Sequence, residues 1–98
     1  MRVLLKCSIP VEAGNRAIKD GRLGRIMQDF GEKWKPEAAY FYSEGGRRTA
    51  LFVFDLPHES DIPVAFEPMF MELDASVEVW PVMNQADVMS GVERAMKK

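Results

Sequence analysis

The side chains in this chain that can do chemistry are few: one histidine, one cysteine, two tyrosines and scattered charges, some inside strand-like runs. Lys6 sits in Arg2–Ile9, where Val3, Leu5, Cys7 and Ile9 alternate with Leu4, Lys6 and Ser8. Glu78 sits in a second alternating run, Ala75 to Met83, with Ser76 and Trp80 on its face and Val77 and Val79 on the other. Side chains alternate across a strand, so if these two strands are neighbours Lys6 and Glu78 approach each other. A desolvated lysine–carboxylate pair shifts its proton affinities and can move a proton or orient a substrate. The same two residues equally make a cross-strand ion pair at an interface. Tyr40 and Tyr42 can donate to a bound carbonyl or quinone, and Trp80 and Phe52 supply candidate apolar walls.

Two further groups are candidates. Asn15, Arg16, Lys19, Asp20 and Arg22 cluster where a helical pattern breaks, and a broken helix with free N–H groups and cations can hold a carboxylate or phosphate. In that reading Asn15 and Lys19 contact substrate; in the plainer reading the cluster is a solvated helix start. His58, beside Asp55 and Glu59, has the proton affinity of a general base, with Asp55 placed to orient it. Its setting, Leu56-Pro57-His58-Glu59-Ser60-Asp61, is also ordinary loop composition. One histidine and one cysteine do not make a typical zinc set, so no metal is expected, and no cofactor motif is present: neither G-x-G-x-x-G nor a phosphate-binding loop. Arg47 to Phe54 has a faint likeness to an RNA-recognition strand, but Arg48 and Thr49 replace its glycine and an aromatic.

These candidates hang on a frame that the periodicity defines. Ala38 to Asp55 reads as a hairpin turning on Gly45-Gly46, with Tyr40 and Tyr42 on one face and Phe41 on the other. On its return strand Leu51 and Val53 oppose Ala50, Phe52 and Phe54, so neither face is polar. Leu23, Ile26, Met27, Phe30 and Trp34 repeat at helical spacing, and Lys35-Pro36 ends that helix. Traced backwards, the stripe slips phase near Asp20-Gly21, which predicts a short helical turn over Asn15 to Lys19 and then a break. Ile62, Ala65, Phe66, Met69 and Leu73 form a second helical stripe, kinked or restarted at Pro68. Asn84, with Asp87 in the first turn, caps a last helix bearing a narrow apolar seam of Val88, Val92, Ala95 and Met96. The order is β-α-β-β-α-β plus a C-terminal helix, which predicts an α+β, ferredoxin-like sandwich with a four-stranded antiparallel sheet.

Bulk properties narrow the classes. Ninety-eight residues with 47% hydrophobic content predict one domain spanning 1–98. A net charge of −2 and a pI near 5.4 argue against dedicated binding of nucleic acid or anionic membrane. The lone Cys7 excludes an intramolecular disulfide and fits a reducing compartment; its apolar alternation partners make it a small core residue. No run approaches the roughly 20 apolar residues that cross a bilayer, nor does the start read as a signal peptide, so a cytoplasmic location is expected. A sheet apolar on both faces needs two covers, and a chain of this size carries helix for one; a second copy supplies the other.

With that topology and two-faced sheet, the chain resembles the dimeric α+β-barrel superfamily, in which two ferredoxin-like sheets pack face to face. That superfamily includes muconolactone isomerase, cofactor-free quinone-forming monooxygenases and chlorite dismutase. More narrowly, Ile9-Pro10-Val11-Glu12-Ala13-Gly14-Asn15, Lys19-Asp20-Gly21 and Lys35-Pro36-Glu37-Ala38-Ala39-Tyr40-Phe41 resemble a bacterial family of similar length and unsettled function, to which the label "panthothenate synthetase" is sometimes attached. Pantothenate synthetases proper carry His-x-Gly-His on a larger Rossmann-type fold; with His58 as its only histidine, this chain excludes that motif. The resemblance implies a homodimer with a modest apolar pocket between sheet and helices, binding or converting a small, partly apolar metabolite without a cofactor. Lys6, Glu78 and Tyr40 would orient the ligand, with Trp80 and Phe52 as walls. The alternative is a non-enzymatic dimeric module that regulates or scaffolds a partner, its interior filled by Trp80, Phe52, Phe54 and the tyrosines.

Overall fold

The architecture follows from one strand, β1 (Arg2–Ile9), which lies in the middle of the sheet and buries every second residue. The structure, a computed structural model, describes residues 1–97. After β1 come α1 (Val11–Lys19), α2 (Arg22–Trp34), β2 (Ala38–Glu44), β3 (Arg47–Asp55), α3 (Asp61–Leu73), β4 (Ser76–Pro81) and α4 (Gln85–Met96). The sheet is antiparallel in the order β2-β3-β1-β4, an α+β arrangement compatible with a ferredoxin-like sandwich. Gly45 and Gly46 both take positive φ (60° and 77°), the backbone that a tight hairpin matching the strand twist requires.

Helices α1 to α3 cover one face. Val3, Leu5, Cys7, Ala50, Phe52 and Phe54 from the sheet meet Ala17, Ile26, Phe30, Phe66, Met69 and Leu73 from the helices in a single core. Phe30 lies 4.5 Å from Phe52 and 5.2 Å, edge-on, from Phe54 (ring centroids). Fully burying a side chain of this size contributes about 1.5–3 kcal/mol. The Cys7 thiol is buried among them, and desolvation pushes its pKa up to about 12, so it packs as an apolar residue. Thr49, the one buried polar residue among those described, donates its hydroxyl to the Arg47 carbonyl at 3.1 Å.

Three elements depart from the sequence reading. The helix before the break is not one turn over Asn15 to Lys19 but nine residues from Val11. Its buried residues are Ala13, Gly14 and Ala17, too small to mark an apolar stripe, while Val11 and Ile18 face out. The break itself falls at Asp20 and Gly21, where Gly21 has φ 81°. Pro68 does not restart its helix: α3 runs unbroken from Asp61 to Leu73, and buried Met69 and Leu73 anchor its second half in the core. Such anchoring outweighs the roughly 3 kcal/mol cost of an interior proline. Finally β4 is shorter than Ala75 to Met83, closing at Pro81.

The other sheet face, bearing Leu4, Lys6, Leu51, Val53, Tyr40 and Trp80, has no helix over it. Tyr40 and Trp80 are 66% and 43% exposed there. Helix α4 buries none of its residues. It is tied to the body at its start, where Arg2 donates to Asp87 at 3.1 Å and to Glu37 at 2.6 Å.

Candidate functional site

Lys6 and Glu78 are directly opposite in the β1–β4 register, as the alternation predicted, but they are not paired through their charges. The Lys6 ammonium donates instead to the Glu44 carboxylate at the end of β2. The row that lies between them holds Ser8 and Thr49, short enough for a lysine to pass over. Tyr42 donates its hydroxyl to the same carboxylate at 3.0 Å, so the cluster is Lys6–Glu44–Tyr42. The bond to Glu44 raises the Lys6 pKa, with burial partly opposing and Glu78 adding a smaller upward pull. Glu44 is held below the usual carboxylate range by the bonds from Lys6 and then Tyr42. Tyr42 is raised, chiefly because its proton is engaged by Glu44.

The remaining expected groups are dispersed. Phe52 is buried on the helix side, 2% exposed, and so cannot wall a site containing Lys6, Glu78, Tyr40 or Trp80; Phe54 likewise belongs to the core and not to a sheet-to-sheet interior. The alternation already separates Phe52 from Leu51, so this correction was available in the pattern itself. His58 is exposed in the β3–α3 connection, its backbone N–H donating to Asp61 at 3.2 Å. Asp55, expected to orient it, is engaged by the N-terminal ammonium at 2.8 Å. Lys19 is exposed at the last residue of α1. Asp20 holds Arg22 through both the backbone N–H (3.0 Å) and the guanidinium (2.7 Å), which lower its pKa in that order.

A larger feature lies on the helix side of the hairpin. Between the α1–α2 break and the inner surface of β2 and β3 is a cleft of about 840 Å³, within the range of small-molecule sites. It exists because the helices cover β1 and β3 but leave β2 bare: Phe41 is 62% exposed although it touches Phe52 edge-on at 5.8 Å. Helix α1 contributes Asn15 and Ile18, the break Gly21, α2 contributes Leu23, Gly24 and Met27, and the hairpin contributes Phe41, Ser43 and Arg48. Of the residues expected to contact a ligand, Asn15 and Tyr42 line it.

Arg48 is the residue that sequence reasoning missed. Its guanidinium donates to the Asn15 side chain at 3.0 Å, which ties the hairpin to the broken helix. Gly14 makes the room: a Cβ there would lie 2.8 Å from the Arg48 Nη1 atom and 3.3 Å from Ile9. The available signal was register, since Arg48 shares the helix-facing side with Ala50 and Phe52 and so points inward. A charge there needs a partner or a purpose.

Among the described residues no three histidine, cysteine, aspartate or glutamate side chains gather to hold a metal ion. No helix is long and apolar enough to cross a membrane. No known family model matches the chain, and no curated protein matches it either.

Proposed function

We propose that this protein binds a small, partly apolar metabolite in the helix-side cleft, without a cofactor, and does so as a homodimer paired through its open sheet faces. The single observation that carries the binding half is the cleft itself: about 840 Å³, apolar over most of its wall, with polar groups gathered around Arg48 and Asn15. That composition, a mostly apolar concavity with a few convergent polar groups, is what small-molecule sites share. The pairing half is supported by Tyr40, Leu51, Val53 and Trp80, an apolar surface that has no cover within one chain. The resemblance to dimeric α+β barrels points the same way.

Gly24 provides the test of binding. It lies inside α2, lines the cleft, and a Cβ added there meets nothing within 4 Å. Gly24→Phe therefore places a ring at the cleft wall with no clash at its Cβ, and replacing a helix glycine does not lower helix propensity. The expected result is that an environment-sensitive apolar dye such as anilinonaphthalene sulfonate brightens with the wild-type protein and not with Gly24→Phe, while the far-ultraviolet circular dichroism of the two coincides. Equal dye binding by both would remove the cleft as the site.

A second reading, a non-enzymatic interaction module, is favoured by one observation: α4 carries exposed Val88, Val92 and Met96 and buries nothing. In that reading α4 docks a partner and the cleft stays without a ligand.

A further inference from the structure

The cleft is uneven in charge, and that unevenness names a ligand class. Of the residues lining it, Arg48 is the only charged one; no aspartate or glutamate contributes to the wall. Arg48 is half-buried, and among the described residues its guanidinium donates to Asn15 alone and has no carboxylate within 4.0 Å. A guanidinium carries five N–H donors, so most of its capacity is unspent. Elsewhere Arg2, Arg16, Arg22 and Arg25 each meet a carboxylate. Arg48 thus differs from these four in being turned into an apolar cleft and left without an anion.

Position adds direction. In the β2–β3 register Arg48 is opposite Ser43, and two residues further along the strands Ala50 is opposite Phe41. The polar end of the cleft is therefore the hairpin-tip end, and the apolar end begins about 7 Å away along the strand. Phe41 lines the cleft together with Leu23 and Met27 of α2. A ligand with one anionic end and an apolar body matches this layout. A cation would meet Arg48 with no acid to offset it, and a wholly apolar molecule would leave the guanidinium unpaired.

We propose that the cleft binds an amphiphilic monocarboxylate, its carboxylate held by Arg48 beside Asn15 and its apolar body laid between Phe41 and α2. The inference rests on the reading of the cleft as the ligand site and adds the ligand's class and its anchor. Arg48 replaces Lys19 as the cation that selects an anion. Gly14 is a positioning residue, because its missing Cβ lets the guanidinium lie against α1.

The test is calorimetric titration of the full chain with matched probes: 1-naphthoate and decanoate as carboxylates, 1-naphthylmethanol and decanol as their neutral counterparts. The wild-type protein should bind a carboxylate at least about tenfold more tightly than its neutral partner, as a charge-assisted bidentate contact provides. Arg48→Met keeps the aliphatic stem; it should erase that preference while leaving neutral-probe affinity within about twofold. Gly14→Ala keeps the arginine but displaces its tip, so it should weaken carboxylates alone and serves if Arg48→Met does not fold. Which carboxylate binds better distinguishes a flat aromatic body from a flexible chain. Neutral probes binding as well as carboxylates, or a preference that survives both variants, would overturn the carboxylate assignment and leave the cleft reading standing. No binding by any probe would overturn both.

Discussion

Cys7 and Lys6 are adjacent in one strand, and their pKa values show how completely the two faces of the sheet differ. The Lys6 ammonium is raised by a hydrogen bond on an open surface, whereas the Cys7 thiol is raised to about 12 by burial alone. The buried group has a measurable consequence for stability. An unfolded thiol ionises near its ordinary value of 9.0, and the folded one near 12. Between those values the unfolded chain releases a proton that the folded chain keeps, so stability is intact below about pH 9 and falls as pH rises. Urea unfolding of the wild type should lose about 1.4 kcal/mol more than Cys7→Ala on going from about pH 8 to about pH 10. Lys6 and Tyr42 titrate in both proteins and cancel in the difference. Equal losses would place the alkaline decline on the surface and not on Cys7. Alternation alone shows that Cys7 faces inward; it does not reveal which carboxylate Lys6 chooses, because Glu44 is two strands away and depends on the short side chains between.

Elements were legible where large side chains carry the period, and illegible where small ones do. β1, the hairpin and the break at Asp20-Gly21 follow from Val, Leu, Ile and Phe spacing or from glycine, and they stand where the pattern puts them. α1 packs through Ala13, Gly14 and Ala17, so its buried face has no hydrophobic signature and its first turn was missed. The cleft escaped for a related reason: it is a space left where α1 and α2 stop short of β2, and no residue type marks a space. Arg48 was legible only as a polar residue inside an inward-facing set. The last helix is the reverse case, since its cap was plain in the sequence and its packing is nearly nil. Asn84 and Asp87 form a reciprocal capping box, with bonds of 2.8 Å and 3.1 Å, on a helix of 12 residues with none buried. Helices of that length without tertiary cover are marginal, and a cap is worth about 1 kcal/mol. Asn84→Ala should therefore reduce helical circular dichroism and speed amide exchange over Gln85–Met96 while leaving the global melting temperature unmoved. A lowered melting temperature would mean that α4 is covered in solution.

At the scale of the whole molecule, the proposed binding and the proposed pairing would use opposite faces of one sheet, which would make them separable. The core and the cleft lie on the helix side; Tyr40, Leu51, Val53 and Trp80 lie on the other, with the Lys6–Glu44–Tyr42 cluster among them. A stable dimer of standard size buries about 800 Å² from each partner. Leu51 is central to it, flanked in register by Tyr40 on β2 and Lys6 on β1. An arginine at that position would set a second cation beside Lys6 and put a charge in the middle of the proposed pairing face. On sedimentation at micromolar concentration the wild type should run at twice the 11.1 kDa chain mass, and Leu51→Arg at the single-chain mass. Because the substitution faces away from Phe41, Arg48 and α2, the monomer should keep the wild-type affinity for cleft probes. A wild type that sediments as a monomer would end the pairing and leave the cleft untouched. Dissociation by Leu51→Arg that also abolished probe binding would mean instead that the cleft is completed by the second copy, and that the two faces act as one site.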